Sequence, residues 1–401
     1  MATNRRKTAR KHGLEYFIIN LFIFGCIGIL SIVVFNLKIF DPFTEAFRDF
    51  TLTDIYYQKA RNNNDIYKDH LVIVNIEKRN RNEIDSLLRR LEEGRPKVIG
   101  VDAIFPDKKD SADALLKQTF HTYNNIVLPY IASFSEDVYE VKNNDYFEVP
   151  ANSFVNVVGQ QPEISTVRYY YPVYRNIPAF TTAIMQLYDS ALAAPLLKRK
   201  DKKTEIRYYG NAPNFTHYSF EEVMKNDFDI PSLKDKIVLI GYMGVAPERS
   251  TNYLDEDRYF TPLNEKLSGR SYPDMYGVIL NANILRMALD RTRFIVTFPS
   301  WINWLLAFLL SWIFIPIYIK WWVHTAVWFH LITALMQLLI SMFLVFFSIG
   351  LYAWNLKLEP ATLLIAILFL GDFILIYDSL VKFLKHKLQW NFHSIFFEGA
   401  H

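Results

Sequence analysis

The chain has 401 residues and a formal net charge of +3, from 44 Lys and Arg against 41 Asp and Glu. So even a balance, with the basic residues kept outside the apolar blocks, argues against a nucleic-acid face. At 51% hydrophobic and 16% aromatic the composition is richer than a soluble protein needs. The excess sits in one block near the N-terminus and another in the last quarter, so a lipid bilayer is the partner it implies. The single cysteine, Cys26, falls inside the first block and reads as a small packing residue, leaving no disulfide or thiol chemistry for the polar region between.

Arg5, Arg6, Lys7, Arg10 and Lys11 precede an apolar run over 16–35. About 20 residues at 1.5 Å per residue make about 30 Å of helix, enough to span a bilayer. The run is too long for the apolar part of a signal peptide, and no small-residue cleavage site follows at Asn36, Leu37 and Lys38, so it is read as a retained anchor. The positive-inside rule keeps 1–15 in the cytoplasm, makes 16–36 the first span and places 37–298 outside as one large domain. Three further spans are expected at 301–319, 326–349 and 360–377, within a membrane region of 299–380. Lys320, Trp321 and Trp322 mark a cytoplasmic turn, 351–359 an outer one, and Lys382, Lys385 and Lys387 the inside again. The tail, 381–401, is too short to bury a core of its own. Phe383, Leu384, Leu388, Trp390 and Phe392 among its lysines suit either an amphipathic piece on the membrane or a partner, or a frayed end.

Within the outer domain, apolar strands alternate with helical patterns. LVIVNIE from Leu71 is a strand, and 81–93 carries Ile84, Leu87, Leu88 and Leu91 at helical spacing before Gly94 ends it. KVIGVDAIFPD, 97–107, has no polar alternation, so it reads as a strand covered on both faces. A helix over 111–121 and a strand over 125–130 complete a βαβαβ order, which implies a parallel sheet. Strands are expected over 153–158 and 166–174 with a turn at 159–165, then a helix over 180–194 and a strand over 205–209. The charged stretch 198–203 reads as an exposed loop. KIVLIGYMG from Lys236 is again a buried strand, and 277–289 a helix leading towards the second span.

These blocks together resemble the CHASE domain of type 2 (CHASE2), the extracellular sensory domain of bacterial membrane receptors. The pieces are DIYY at Asp54, LVIVNIE, KVIGVDAIFPD, NNIVLP at Asn124, FVNV at Phe154 with Arg168 following, LKDKIVLIG at Leu233 and DMYGVILNANIL at Asp274. The resemblance implies a mixed or mostly parallel α/β periplasmic domain, one span before it and three after, and signal reception at the bacterial inner membrane with both termini cytoplasmic. Such receptors continue into an output domain after the last span, and none is read after residue 380. The expectation is therefore that a separate membrane or cytoplasmic protein supplies the output. The competing expectation is a non-catalytic docking subunit, or a homo-oligomer, within a larger envelope complex.

Glu77, Asp102 and Asp107 fall at strand ends, where open α/β sheets form ligand crevices. They form either a polar ligand site or caps for the following loops and helices. The polar stretch 249–262 with Asp255 and Asp257 is either a ligand lid or a solvated loop. Gly241 and Gly244 lack the third glycine and the lysine of a phosphate loop, and read as a tight turn. No nucleophile elbow, HExxH pair or metal spacing occurs, so neither a catalytic group nor a metal or other cofactor is expected. Asp372, inside the last span, needs a partner or water, and His330 and Gln337 of the third span are the expected ones.

Overall fold

The structure, a computed structural model, describes residues 2–36, 51–61, 65–105, 108–134, 139–142, 144, 147–149, 152–155, 166–244, 257–264, 272–291, 294–324, 326–387, 389 and 394–397. Its principal helices are α1 (Ala2–Asn36), α2 (Arg81–Glu92), α3 (Asp110–Thr122), α4 (Phe180–Tyr188), α5 (Ser190–Leu197), α6 (Phe220–Met224), α7 (Gly277–Leu289), α8 (Ser300–His324), α9 (Ala326–Ala353) and α10 (Ala361–Lys387). Its main strands are β1 (Leu71–Asn75), β2 (Val98–Asp102), β3 (Ile126–Phe134), β4 (Tyr139–Lys142), β5 (Asn152–Phe154), β6 (His217–Ser219) and β7 (Ile237–Gly241). They divide into a sheet unit, Asp49–Ile295, and a helical unit, Met1–Arg48 with Val296–His401.

In the sheet unit the strand order is β6-β1-β7-β2-β3-β4, with β5 also on β3. All pairings are parallel except β3 with β4. Val72, Val74, Ile99, Val101, Val238 and Ile240 pack on Leu87 and Leu88 of α2, Leu116 and Phe120 of α3, and Val223 of α6. The opposite face meets α4 and α7. A Cβ on Gly100 would lie 2.5 Å from Ile184 Cδ1, and one on Gly241 2.7 Å from Val278 Cβ, so both glycines let these helices close on the strands. Covering both faces is why the strands are uniformly apolar, and each such side chain contributes about 1.5–3 kcal/mol on burial.

Local chemistry sets the element ends. Asn80 Oδ1 accepts from the amides of Asn82 (3.0 Å) and Glu83 (3.1 Å), while Glu83 accepts from the Asn80 amide at 2.8 Å, a reciprocal cap that starts α2. The residue that turns left-handed after α2 is Arg95 (φ 53°), not Gly94. Gly94 is small because a Cβ there would come within 2.6 Å of the Ile230 carbonyl. The helix expected over 180–194 is two helices. Asp189 takes an extended backbone and accepts from the amides of Ala191 and Leu192, so it ends α4 and caps α5. The strand expected over 125–130 runs on to Phe134 and turns back as β4. Over 166–174 there are two short ribbons, Tyr169–Tyr170 on Thr204–Glu205 and Val173–Tyr174 on Ile177–Pro178. Residues 156–165 lie outside the described ones.

Asp54 and Arg168 are 4% and 8% exposed and form a two-pronged pair, Nε to Oδ1 at 3.2 Å and Nη2 to Oδ2 at 2.6 Å. Thr51 adds its amide and hydroxyl to the same carboxylate at 2.9 and 3.0 Å. Every charge in the cluster is met, which is the condition for tolerating an ion pair away from water.

In the helical unit, four helices among the described residues are long and apolar enough to cross a membrane: His12–Ile32, Ser300–Trp322, Trp328–Ala353 and Ala361–Lys387. Ile19, Ile23 and Ile27 of α1 pack with Ile315 and Ile319 of α8 and Ile367, Leu370 and Ile374 of α10. Asn20, fully buried, donates from Nδ2 to the Phe308 carbonyl at 2.8 Å. Phe383 and Leu384 belong to the end of α10, and a short turn at Ile395–Phe397 follows, whose Ile395 amide donates to Glu15 Oε2 at 2.9 Å. Leu388, Trp390 and Phe392 lie outside the described residues.

Candidate functional site at the carboxyl edge of the sheet

Parallel strands end together on one edge, and here the register places Asn75 of β1 beside Gly241 of β7 and Gly241 beside Asp102 of β2. Asn75 organises the loops above: its Oδ1 accepts from the amides of Glu77 and Met243, both at 2.9 Å, and its Nδ2 donates to the Gly244 carbonyl at 3.0 Å. Gly244 has φ +86°, and a Cβ there would lie 2.4 Å from the Tyr276 hydroxyl, so the Gly241 to Gly244 stretch is a tight turn. On the other side Asn144 fixes the chain leaving β2, accepting from the Phe105 amide at 2.9 Å and donating to the carbonyls of Ala103 (2.9 Å) and Pro129 (2.7 Å).

Between these loops opens a cavity of about 340 Å³. Ile76, Ile104, Ile131, Val155 and Leu280 supply apolar walls, and Asp102, Asp257, Asn281, Tyr242 and Tyr259 the polar groups. Asp102 comes from the end of β2. Asp257 leads a two-residue ribbon, Arg258–Tyr259, paired with Met275–Tyr276, which runs directly into α7. The Gly277 amide donates to the Asp257 carbonyl at 3.1 Å, and a Cβ on Gly277 would lie 2.4 Å from Asp257 Oδ2. The absent side chain at the start of α7 therefore makes room for the second acid. Asn281, one turn into α7, donates to Asp102 Oδ2 at 3.0 Å.

The two acids set the electrostatics. Asp102 is enclosed by protein atoms while keeping part of its surface on the cavity. Loss of hydration, then the charge of Asp257, push its carboxyl up to about 7, against the Asn281 bond. Asp257, exposed at the cavity wall with protein behind it, is raised by desolvation too, opposed by a hydrogen bond from Tyr259. Near neutral pH such a pair favours holding one proton between them. The result is a pair of acids with raised proton affinity beside amide and phenol groups, walled by apolar side chains. Among the described residues no group of three or more His, Cys, Asp or Glu is arranged to hold a metal ion.

Of the acids named from sequence, Asp102 and Asp257 share this cavity. Glu77 does not: it has φ +50° and pairs with Arg79 at 3.2 Å, in a cluster with Glu83 and Glu221 stacked on Phe220. Its amide, not its carboxylate, is held by the strand-end asparagine. Asp107 and Asp255 lie outside the described residues. In the helical unit, Gln337 donates to the carbonyls of Ile367 (3.3 Å) and Leu368 (2.8 Å) instead of meeting Asp372. His330 is exposed with its ring against Phe329, and Asp372 is exposed. The interhelical tie is thus glutamine to backbone, because the amide reaches carbonyls one turn before the acid. Sequence reasoning missed Asn281, hidden in an apolar helix pattern, and Asp274, a half-buried acid pushed up to about 6 by desolvation that accepts from the Thr261 amide at 2.8 Å.

A family model for the CHASE2 domain matches residues 23–318, from the middle of α1 into α8. No curated protein and no solved structure matches the chain. The match covers the whole sheet unit with its parallel core, and the chain therefore belongs to the CHASE2 domain family, a family of sensory domains.

Proposed function

We propose that this chain is a sensor of the bacterial inner membrane whose sheet unit, outside the cytoplasm, receives a small ligand in the cavity at Asp102 and Asp257. A separate protein carries the response onward. The observation that carries the reading is the pair of acids, with Asn281 bonded to Asp102, at the strand edge where parallel α/β sheets take ligands. One shared proton leaves one negative charge beside an apolar wall. That chemistry suits a small monovalent cation with an apolar body, such as a protonated amine. The basic residues in the first turns of α1 and the last turns of α10 support cytoplasmic termini, as does the bond between Glu15 and the Ile395–Phe397 turn, which brings both ends of the bundle to one face.

The test is thermal unfolding of the full chain in nanodiscs with a panel of small primary amines and their matched carboxylates and alcohols. An amine that raises the midpoint in the wild type, and does so at least tenfold more weakly in Asp102→Asn and Asp257→Asn, supports the reading. Equal response to all three classes at pH 7.5 refutes it.

A further inference from the structure

We propose that the face of α10 at Asp372, with the groove it shares with α9, docks a transmembrane helix of a separate protein carrying a lysine or arginine at mid-depth. Asp372 lies 11 residues after Ala361 and 10 before Lys382. At 1.5 Å per residue that is about 16 Å from one end and about 15 Å from the other, the centre of a hydrocarbon layer about 30 Å thick. Its side chain is exposed, and among the described residues it has no hydrogen bond or ion pair. A carboxylate facing lipid at that depth is strongly disfavoured, and such groups mark a partner or a water path.

The same helix handles a second acid differently. Asp378 is 3% exposed and receives Lys382 Nζ at 2.7 Å, an internal match one turn away. Asp372 has no such match, and Gln337, the nearest candidate, is spent on backbone carbonyls. Leu364, Leu368 and Asp372 recur every four residues, so they share a face of α10. Leu364 and Leu368 also line a groove of about 650 Å³ against Ala334, Gln337, Ser341 and Phe346 of α9. The Ser341 hydroxyl there is buried without a hydrogen-bond partner. An apolar helix fits the groove, and the acid at its end selects which one.

A second copy of this chain does not supply the missing charge. The lysines of the four spans nearest mid-depth, Lys320 and Lys382, stand two and five residues from the ends of Ser300–Trp322 and Ala361–Lys387, and the spans hold no arginine. His330 sits in the first two turns of α9, far from mid-depth, and a copy's own Asp372 would add a like charge. Charge complementarity therefore favours a different protein, and the inference stands independently of the cavity in the sheet unit.

The full chain, in vesicles of phosphatidylcholine and phosphatidylglycerol, can be titrated with labelled polyleucine helices bearing one central Lys, Glu or Leu. Energy transfer reads association. The Lys helix is expected to bind at least tenfold more tightly than the Leu helix, with the preference falling below twofold in Asp372→Leu and shifting to the Glu helix in Asp372→Lys. Asp372→Asn, which keeps the shape, is expected to lose at least fivefold and serves if the Leu variant misassembles. No Lys preference in the wild type, or an undiminished one in the Asn variant, overturns the proposal. So does self-association of the full chain that depends on Asp372 and that the Lys helix does not displace, which makes a second copy the occupant.

Discussion

Compare the acids of the sheet unit with those of the helical unit. In the first, Asp54 is met by two nitrogens of Arg168 and by Thr51, whereas Asp102 faces another carboxylate across a cavity. In the second, Asp378 is paired through Oδ2 with Lys382, whereas Asp372 is exposed, with no hydrogen bond or ion pair among the described residues. Each unit thus pairs an acid with a cation internally and leaves another acid without one at an opening. The difference lies in how the incomplete one is tolerated. In the sheet unit burial raises the affinity of Asp102 for protons. For Asp372 a partner helix is the remedy argued above.

The sharpest way to break this comparison is to damage a completed charge. Asp54→Ala takes its two-pronged carboxylate partner from the buried Arg168, and is expected to destabilise the sheet unit by about 3–5 kcal/mol, read by denaturant unfolding. A loss below about 1 kcal/mol would mean that water reaches the pair and that the distinction between completed and open acids is false.

Next in size is Asp102→Asn, with the opposite sign. Between the ordinary carboxylate range and about 7, the folded protein holds a proton that the unfolded chain has released. Wild-type stability therefore falls as pH rises from about 4 to about 7, and levels off above. The asparagine variant removes the part of that dependence due to Asp102, leaving those of Asp257 and Asp274, and is expected to be roughly 1–3 kcal/mol more stable than wild type at pH 8. That range lies below the full conversion of the shift because Asp102 keeps some surface on the cavity. At pH 4 the two proteins are expected to coincide, and unfolding midpoints across this range measure the gap. A variant less stable than wild type at pH 8 would show Asp102 to be a structural acceptor, like Asp54.

The smallest effect is expected at Gln337→Leu, which removes a tie between α9 and α10. Hydrogen bonds between helices in a bilayer average about 0.6 kcal/mol, so unfolding in bicelles is expected to shift by about that amount. A much larger loss would show that Gln337 helps to satisfy Asp372 after all.

The parallel strands were legible because both faces are covered, leaving no alternation and hence no ambiguity with a half-exposed strand. The four apolar helices were legible from length alone. The break at Asp189 was not, since apolar residues keep helical spacing on both sides of it and only the side-chain cap ends the first helix. Nor was the role of Glu77, whose left-handed backbone turns its carboxylate towards Arg79 and away from the sheet edge. At the site, Asp102 was readable as a strand-end acid. Its partner Asn281 belongs to a helix whose apolar pattern signals only burial, and nothing in that pattern says which residue turns towards the strand.

The bond between Glu15 and the Ile395 amide joins groups 380 residues apart in the chain, and the Asn20 contact with Phe308 spans 288. At about 5–20 residues per second of synthesis, Glu15 is made roughly 20–75 s before the atoms that satisfy it. The first helix must therefore enter the membrane and wait, its buried asparagine unmet, while the entire sheet unit is made and folds. Completion of the bundle is a late event, and a stall in translation between α1 and α8 strands a lone span with two polar groups still looking for their partners.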